Sequence, residues 1–176
     1  MVIDQSARRK YALPVRFAAL THDLGKAETP PDILPRHIGH EERSVKLVEQ
    51  VCLRLRVPND CRDLALMTAR YHGNIHRAAD LRPSTVVTLL EKTDALRRPE
   101  RFQQLLDACR SDYTGRLGWE DRAYDSPQRL LTALAAVNSV EAGKIAAACA
   151  DKAKIPERIH AARVSAVKLA LDDARD

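Results

Sequence analysis

The residues best suited to chemistry in this sequence are a histidine and an aspartate at the end of a predicted apolar helix. The stretch "RFAALTHDLGK" (residues 16–26) places His22 and Asp23 side by side. Helical spacing puts His22 on the stripe of Val15 and Ala18, so its imidazole should face the protein core. A buried imidazole requires polar partners, which makes this doublet the first candidate for a functional site.

Three further polar residues lie on the apolar stripes of other predicted helices. His40 and His72 each do so on their own helix, and Asp94 continues the face that carries Val87 and Leu90. A hydrogen-bonded core or surface histidine is the alternative for any one of them alone. Burying an ionised aspartate without a partner is costly, so such groups are paired or bind metal. Imidazole with carboxylate suits Zn²⁺, Ni²⁺, Co²⁺, Mn²⁺ or Fe²⁺, and the sequence does not choose among them.

The elements that must position these residues are predicted to be helices throughout. The 176 residues include only 6 glycines and 4% aromatic residues, and helix formers outnumber strand formers. We therefore predict an all-α fold. Gly73 and Asn74 are expected to end the helix that carries His72, and the segment "SDYTGRLGWEDRAYDSPQ" is the least regular. Apolar spacing predicts helices over 14–23, 40–57, 59–72, 82–100, 127–138, 140–152 and 156–172.

This pattern predicts a site-bearing helical bundle over residues 1–110 and a helical extension packed on it over residues 111–176. No stretch approaches the roughly 18 apolar residues of a membrane span, and residues 1–20 lack the core of a signal peptide. The 4 cysteines form no CxxC pair, which is typical of reduced thiols. We expect a soluble, cytoplasmic protein with no membrane partner.

The charge of the chain is a weak indication of a nucleic-acid partner. The net charge is +5, and the sequence pI is about 9.2. Arginine supplies most of the excess, and its planar guanidinium is always ionised and suits phosphate contacts. A solvated basic surface explains the same charge equally well, so charge alone leaves both interpretations open.

The order of these residues resembles the HD superfamily of metal-dependent phosphohydrolases, whose pattern contains a His-Asp doublet, further histidines and a distal aspartate. "THDLGK" matches the doublet, and Asp94 in "LLEKTDALRRPERF" matches the distal aspartate. The resemblance implies an HD-domain helical bundle in which His22, Asp23 and Asp94 bind a metal ion. His40 in "RHIGHEERS" and His72 in "ARYHGNIH" match histidines that bind a second metal or the scissile phosphate, and with the doublet they form the expected catalytic set.

A closer resemblance connects nearly all of the chain with the HD domain of the bacterial CCA-adding tRNA nucleotidyltransferase family. The stretches "LPRHIGHE", "LRVPNDCRDLAL" and "YHGNIH" carry it. It implies 2′,3′-cyclic phosphodiesterase, 2′-nucleotidase and phosphatase activities with Ni²⁺ as the favoured ion and Mn²⁺, Co²⁺ or Mg²⁺ as alternatives. The implied partners are tRNA or RNA 3′ ends, cyclic nucleotides and a second copy of the chain in a homodimer. The expected substrate-binding residues are Lys26, His76, Arg97 and Arg98.

Two departures from the family pattern limit what this resemblance implies. Residues 1–21 contain no histidine, and the family's upstream metal ligand is expected to fall just before Met1. The sequence also has no glycine-serine turn followed by paired carboxylates, which marks the nucleotidyltransferase head. This chain is therefore not expected to add CCA by itself.

Two alternatives remain at this point. One is a tRNA-binding and dimerising module with an incomplete hydrolytic site, in which basic clusters contact the phosphate backbone and Trp119 and Tyr113 either stack on a base or pack in the core. The other is an HD-type nucleotidase that acts on free nucleotides. The basic clusters are Arg97, Arg98 and Arg101, and Arg8, Arg9 and Lys10.

Overall fold

The computed structural model describes residues 1–173, and this part of the chain contains α helices, short 3₁₀ segments and no strands, which confirms the predicted all-α fold. The 3₁₀ segments span Leu24–Glu28, Ala78–Asp80 and Lys152–Lys154. The helices are α1 (Val2–Arg8), α2 (Leu13–Thr21), α3 (His40–Leu55), α4 (Asn59–His76), α5 (Pro83–Lys92), α6 (Pro99–Thr114), α7 (Ser126–Asn138), α8 (Ala142–Ala147) and α9 (Ile155–Asp173).

The first of two compact units comprises residues 1–76 and 100–124. Helix α4 is its centre, because both α2 and α3 pack against it. The 3₁₀ segment after α2 packs on α3, and α1 packs on α2. Apolar side chains at helical spacing fill the core: Val15, Val48, Leu64, Phe102 and Leu105 are all buried. Burial of these stripes supplies the driving force that holds the helices together.

The second unit comprises residues 77–99 and 125–173. Helix α9 packs against α7 and α5, and Val87, Leu90 and Leu130 are fully buried in its core. Glu91 accepts a hydrogen bond from Arg163 at 2.8 Å within this unit. The division at residue 110 stays a prediction, and the compact units interleave along the chain with different bounds. No helix in the described residues is both long enough and apolar enough to cross a membrane.

The observed helices correct three expectations from the sequence. Helix α4 does not end at Gly73 and Asn74 but continues to His76. A Cβ on Gly73 would lie 2.9 Å from Glu41 Oε1, the end of a flexible side chain that can move aside. A helical glycine costs only about 1 kcal/mol relative to alanine, which tertiary packing readily overcomes.

The other two corrections concern α8 and the segment that follows Lys92. The helix predicted over 140–152 is shorter, since α8 spans only Ala142–Ala147. Asp94 does not continue the face of α5, because α5 ends at Lys92 and Asp94 has a left-handed φ of 57°. The backbone N–H of Ala95 donates to Leu90 O at 2.9 Å, a bond that closes the turn after the helix.

Candidate metal centre

His22 and Asp23 lie where α2 ends and the chain turns onto α3. Gly25 lies in the following turn, and its N–H donates to Ser44 Oγ at 2.8 Å. A Cβ at Gly25 would lie 2.3 Å from His40 O and 2.4 Å from Ser44 N. Since both are backbone atoms that cannot move aside cheaply, the turn must carry glycine here. This contact places Asp23 directly beside the first turn of α3, where His40 begins the helix.

Three histidine rings from three different elements meet at this point. The His72 ring on α4 lies 5.0 Å from the His22 ring and 5.2 Å from the His40 ring, between centroids. His22 and His72 are buried, and the His40 side chain is 16% exposed. The structure thus brings these three predicted residues together, and their catalytic role stays a prediction.

All three imidazoles use Nδ1 to contact a backbone carbonyl of their own segment. A carbonyl oxygen only accepts hydrogen bonds, so Nδ1 of each neutral ring must carry the proton and donate it. Nε2 is then left with a lone pair, the arrangement found in metal-binding histidines. The bonds run from His22 to Ala19 at 2.9 Å, from His40 to His37 at 2.9 Å, and from His72 to Thr68 and Ala69 at 3.1 Å each.

Asp23 places its carboxylate among these nitrogens. Its Oδ2 lies 3.2 Å from His22 Nε2. Its Oδ1 lies 3.2 Å from His40 Nε2 and 3.5 Å from His72 Nε2. One ligand atom each from His22, Asp23 and His72 lie within 4.8 Å of one another. We call His22, Asp23, His40 and His72 the histidine cluster.

Two buried atoms of the histidine cluster show what the site requires. Within residues 1–173, His22 Nε2 and Asp23 Oδ1 are buried and make no hydrogen bond of acceptable geometry. His40 Nε2 and His72 Nε2 lie 3.1 Å apart although both Nδ1 atoms serve as donors. Two facing lone pairs need a proton or a cation between them. A divalent ion that accepts imidazole nitrogen and carboxylate oxygen fits this donor set.

The charges of the cluster lead to the same requirement. Burial lowers the pKa of His22, but the nearby carboxylates of Asp112 and Asp23 outweigh burial and raise it to about 10. Burial raises the pKa of the Asp23 carboxyl, but His22, His72 and Lys26 hold it well below its usual range. The carboxylates thus favour positive charge at His22 Nε2, which either a proton or a metal ion can supply.

Asp112 is a functional candidate that the sequence reasoning missed. It is buried on α6, and its Oδ1 lies 3.5 Å from His22 Nε2. It was missed because residues 111–128 are predicted to be irregular, whereas α6 extends to Thr114. The signal was present, since Phe102, Leu105, Cys109 and Asp112 are spaced by three and four residues and share one helix face.

A chain of hydrogen bonds holds Asp112 in place. The Tyr124 hydroxyl donates to His76 Nδ1 at 2.9 Å, and His76 Nε2 donates to Asp112 Oδ2 at 2.7 Å. Arg116 also contacts Oδ2, at 3.3 Å. Burial lowers the pKa of His76 despite the nearby Asp112, which favours the neutral ring that these bonds require. Oδ1 is thereby oriented toward His22.

The other residues assigned from the sequence lie in two different places. Lys26 lies beside the histidine cluster, with its Nζ 2.6 Å from Asp23 Oδ2 and its side chain 42% exposed. Asp94, Arg97 and Arg98 belong to the second unit, where Asp94 contacts Arg97 Nε at 2.6 Å and Arg98 Nε at 3.6 Å. Their roles as metal ligand and substrate contacts stay predictions, as does substrate binding by His76 and Lys26.

The chain is similar over nearly its whole length to proteins named multifunctional CCA protein. The relative from Dechloromonas aromatica is 82% identical over 173 residues, which cover 98% of this chain and 42% of that protein. The relative from Cupriavidus taiwanensis is 61% identical over 168 residues, 95% of this chain and 40% of that protein. The relative from Burkholderia multivorans is 57% identical over 173 residues, with 98% and 42% covered. The chain spans about two fifths of the length of these relatives.

A family model gives the more specific match to the site. No solved structure matches this chain. The model described as HD domain matches residues 8–113, more than half of the chain. This range contains the histidine cluster and Asp112. The chain therefore belongs to the HD domain family of metal-dependent hydrolases.

Proposed function

We propose that this domain hydrolyses phosphoesters of ribonucleotides, with the 2′,3′-cyclic phosphodiester of an RNA 3′ end as its preferred substrate. The observation that carries the proposal is the convergence of three imidazole Nε2 atoms on the Asp23 carboxylate, each imidazole fixed through Nδ1. The names of the multifunctional CCA relatives support an RNA 3′ end as the substrate, because CCA is the 3′ sequence of tRNA.

The residues proposed to hold a divalent ion are His22, Asp23 and His72, with Asp112 Oδ1 as a fourth ligand. Such an ion, when bound, stabilises charge on a phosphoryl oxygen and lowers the pKa of a water molecule. Resemblance favours Ni²⁺, with Mn²⁺, Co²⁺ and Mg²⁺ as alternatives. Fixing the imidazoles and Asp112 through their outer hydrogen bonds keeps these ligands oriented in advance of binding.

Two residues at the rim of the cluster are proposed to act on the substrate itself. Lys26, held by Asp23, places a positive charge beside the phosphate. In the hydrolysis, a water oxygen bonds to phosphorus and the water gives up one proton, while one bond from phosphorus to a ribose oxygen breaks and that ribose oxygen receives the proton. His40 is proposed to transfer this proton, because its ring is the most exposed of the three in the cluster. Its Nε2, which holds a lone pair, takes a proton from the water and gives it to the leaving ribose oxygen.

The test is hydrolysis of 2′,3′-cyclic AMP by this chain with Ni²⁺, Mn²⁺, Mg²⁺ or a chelator. Turnover should require metal and disappear in Asp23→Ala, whereas Asp32→Ala, an exposed aspartate in the loop before α3, should match the parent. Deoxynucleoside mono- and triphosphates form a second substrate set. Preference for them over the cyclic phosphodiester would overturn the proposed substrate in favour of a nucleotidase, and turnover that persists in Asp23→Ala would overturn the proposed site.

A further inference from the structure

Trp119 is the only tryptophan of the chain, and it lies in the irregular segment that follows α6. The side chain is half-buried, and the neighbouring Leu117 is 87% exposed. Nothing in the proposed hydrolytic chemistry uses this residue. A large aromatic side chain on a loop beside a candidate site is typical of ligand contact, so its surroundings decide whether it only packs the loop.

The aromatic neighbours of Trp119 are Tyr113 and Tyr124, which stack on each other. Tyr113 stacks on Tyr124, with 4.3 Å between ring centroids and 17° between ring planes. Trp119 meets Tyr113 edge-on, at 4.9 Å and 66°.

Two arginine side chains lie over the indole ring of Trp119. The guanidinium of Arg122 lies 4.4 Å from the centroid of the indole, and that of Arg116 lies 5.3 Å from it. Both arginines are exposed, so they can be displaced from the ring at little cost. A planar guanidinium stacks on a nucleobase as readily as on an indole, so a base can insert between the indole and an arginine while keeping both stacking contacts.

Arg116 connects this ring to the candidate metal centre. The same guanidinium that lies over Trp119 contacts Asp112 Oδ2 at 3.3 Å. Asp112 Oδ1 in turn faces His22 Nε2 at 3.5 Å. One arginine head group therefore lies between the indole and a proposed metal ligand, on the Oδ2 side of that carboxylate.

We propose that Trp119, with Arg116 and Arg122, forms a subsite that stacks the nucleobase of the substrate while its phosphate lies at the histidine cluster. This inference rests on the proposed function and specifies its substrate as a nucleotide rather than a simple phosphoester. Stacking uses the π face that every base has, so the subsite accepts different bases with similar affinity.

The first test uses the single tryptophan as a reporter in the unaltered, metal-free chain, with chelator present. Adenosine 3′-monophosphate should quench the fluorescence saturably, because the base covers the indole. Ribose 5-phosphate, which carries a phosphate and a ribose without a base, is the control and should not quench at the same concentrations. Equal quenching by both compounds, or quenching by neither, would overturn the proposal.

The second test separates stacking from a structural role of the ring. Trp119→Ala should lower the affinity for adenosine 3′-monophosphate about tenfold by calorimetry, and Trp119→Phe should restore part of it. Leu117→Ala, an exposed neighbour in the same segment, should leave affinity unchanged. With metal, Trp119→Ala should raise the KM for 2′,3′-cyclic AMP but not that for bis(p-nitrophenyl) phosphate, which has no base.

The outcomes also distinguish this inference from the proposed function. An equal loss on both substrates in Trp119→Ala would show that the ring only maintains the loop, and would overturn the subsite. Base-dependent quenching without any phosphoester turnover would retain the subsite and reject hydrolysis. Phosphoester turnover without base-dependent quenching would retain the proposed hydrolysis and reject the subsite.

Discussion

Asp112 and Asp94 are two aspartates in different units, and their carboxylates have different kinds of neighbours. Asp112 is on α6 with its side chain 11% exposed, and it faces His22 and His76. Asp94 follows α5 with its side chain 21% exposed, and it faces Arg97 and Arg98. An aspartate near the end of an apolar stripe is therefore not by itself evidence of a metal ligand, because the chemistry of its neighbours decides.

The two aspartates also differ in which groups contact their Oδ1 and Oδ2 atoms. Arg97 contacts Oδ1 of Asp94, and Arg98 contacts Oδ2. Guanidinium groups do not lose their protons, so they cannot give up these contacts by deprotonation. At Asp112, His76 and Arg116 both contact Oδ2, which leaves Oδ1 oriented toward the lone pair of His22. Asp112 therefore has one oxygen beside the histidine cluster, whereas both oxygens of Asp94 contact exposed arginines.

The sharpest test of this comparison replaces each carboxylate by its isosteric amide. Asp112→Asn should weaken Ni²⁺ or Mn²⁺ binding by at least about 100-fold, since removal of an outer hydrogen-bond partner alone typically costs 10–100-fold. Asp94→Asn should bind the same ions with nearly the parent affinity. Isothermal titration calorimetry measures both. A larger loss in Asp94→Asn would instead support Asp94, the metal ligand predicted from the sequence, over Asp112.

The next effect concerns the contact that brings Asp23 to α3. Gly25→Ala should destabilise the fold by roughly 1–3 kcal/mol and weaken metal binding, because a Cβ there meets backbone atoms of α3. Gly143→Ala is the matched control, since a Cβ at that position has no atom within 4 Å. Thermal unfolding and metal titration should separate the two variants. Equal stability would show that the turn after α2 can shift without cost.

A smaller effect should follow from breaking the hydrogen bond at the far end of the Asp112 chain. Tyr124→Phe removes the donor to His76 Nδ1, so the ring is free to adopt the other tautomer and Asp112 is held less firmly. We expect metal affinity to fall about tenfold, at the lower end of outer-ligand effects. Tyr71→Phe provides a tyrosine control on α4. An unchanged affinity in Tyr124→Phe would show that Arg116 and the helix alone orient Asp112.

The smallest effect should come from the turn at Asp94. Asp94→Gly should be more stable than Asp94→Ala, because only glycine adopts the left-handed conformation at φ 57° without strain. The ion pairs lost in both variants are exposed on the arginine side and contribute little. The melting temperatures should differ by a few degrees. A less stable Asp94→Gly would indicate that the aspartate itself is needed in the turn.

Sequence reasoning located the histidine cluster because its members follow helical stripes whose apolar residues are buried. His22 and His72 are such cases, with Ala18 and Ala69 fully buried on the preceding turns. Hydrophobic periodicity predicts Asp94 on a helix face, because the predicted helix continues past Lys92, where α5 ends. Helix ends depend on turns such as the one closed by Ala95 and Leu90, which hydrophobic periodicity does not encode.

Asp112 was missed for the converse reason. The glycines and polar residues after Thr114 predict irregular structure, and that expectation was extended too far back along α6. The bonds from Tyr124 through His76 to Asp112 join residues 48 and 36 positions apart, so no local pattern could have predicted them. The helices that carry His22 and His72 were thus predictable from spacing, whereas the contacts of Asp112, the proposed fourth ligand, depend on tertiary structure.

The contact at Gly25 also restricts how this site can vary. Because the turn touches the backbone of α3, any side chain at position 25 would push the segment that carries Asp23 away from His40. If position 25 were randomised and variants selected for metal binding, we expect only glycine to be recovered. Position 27, which is exposed and outside the histidine cluster, should tolerate many residues. The geometry of the site therefore depends on Gly25, a residue with no functional group of its own.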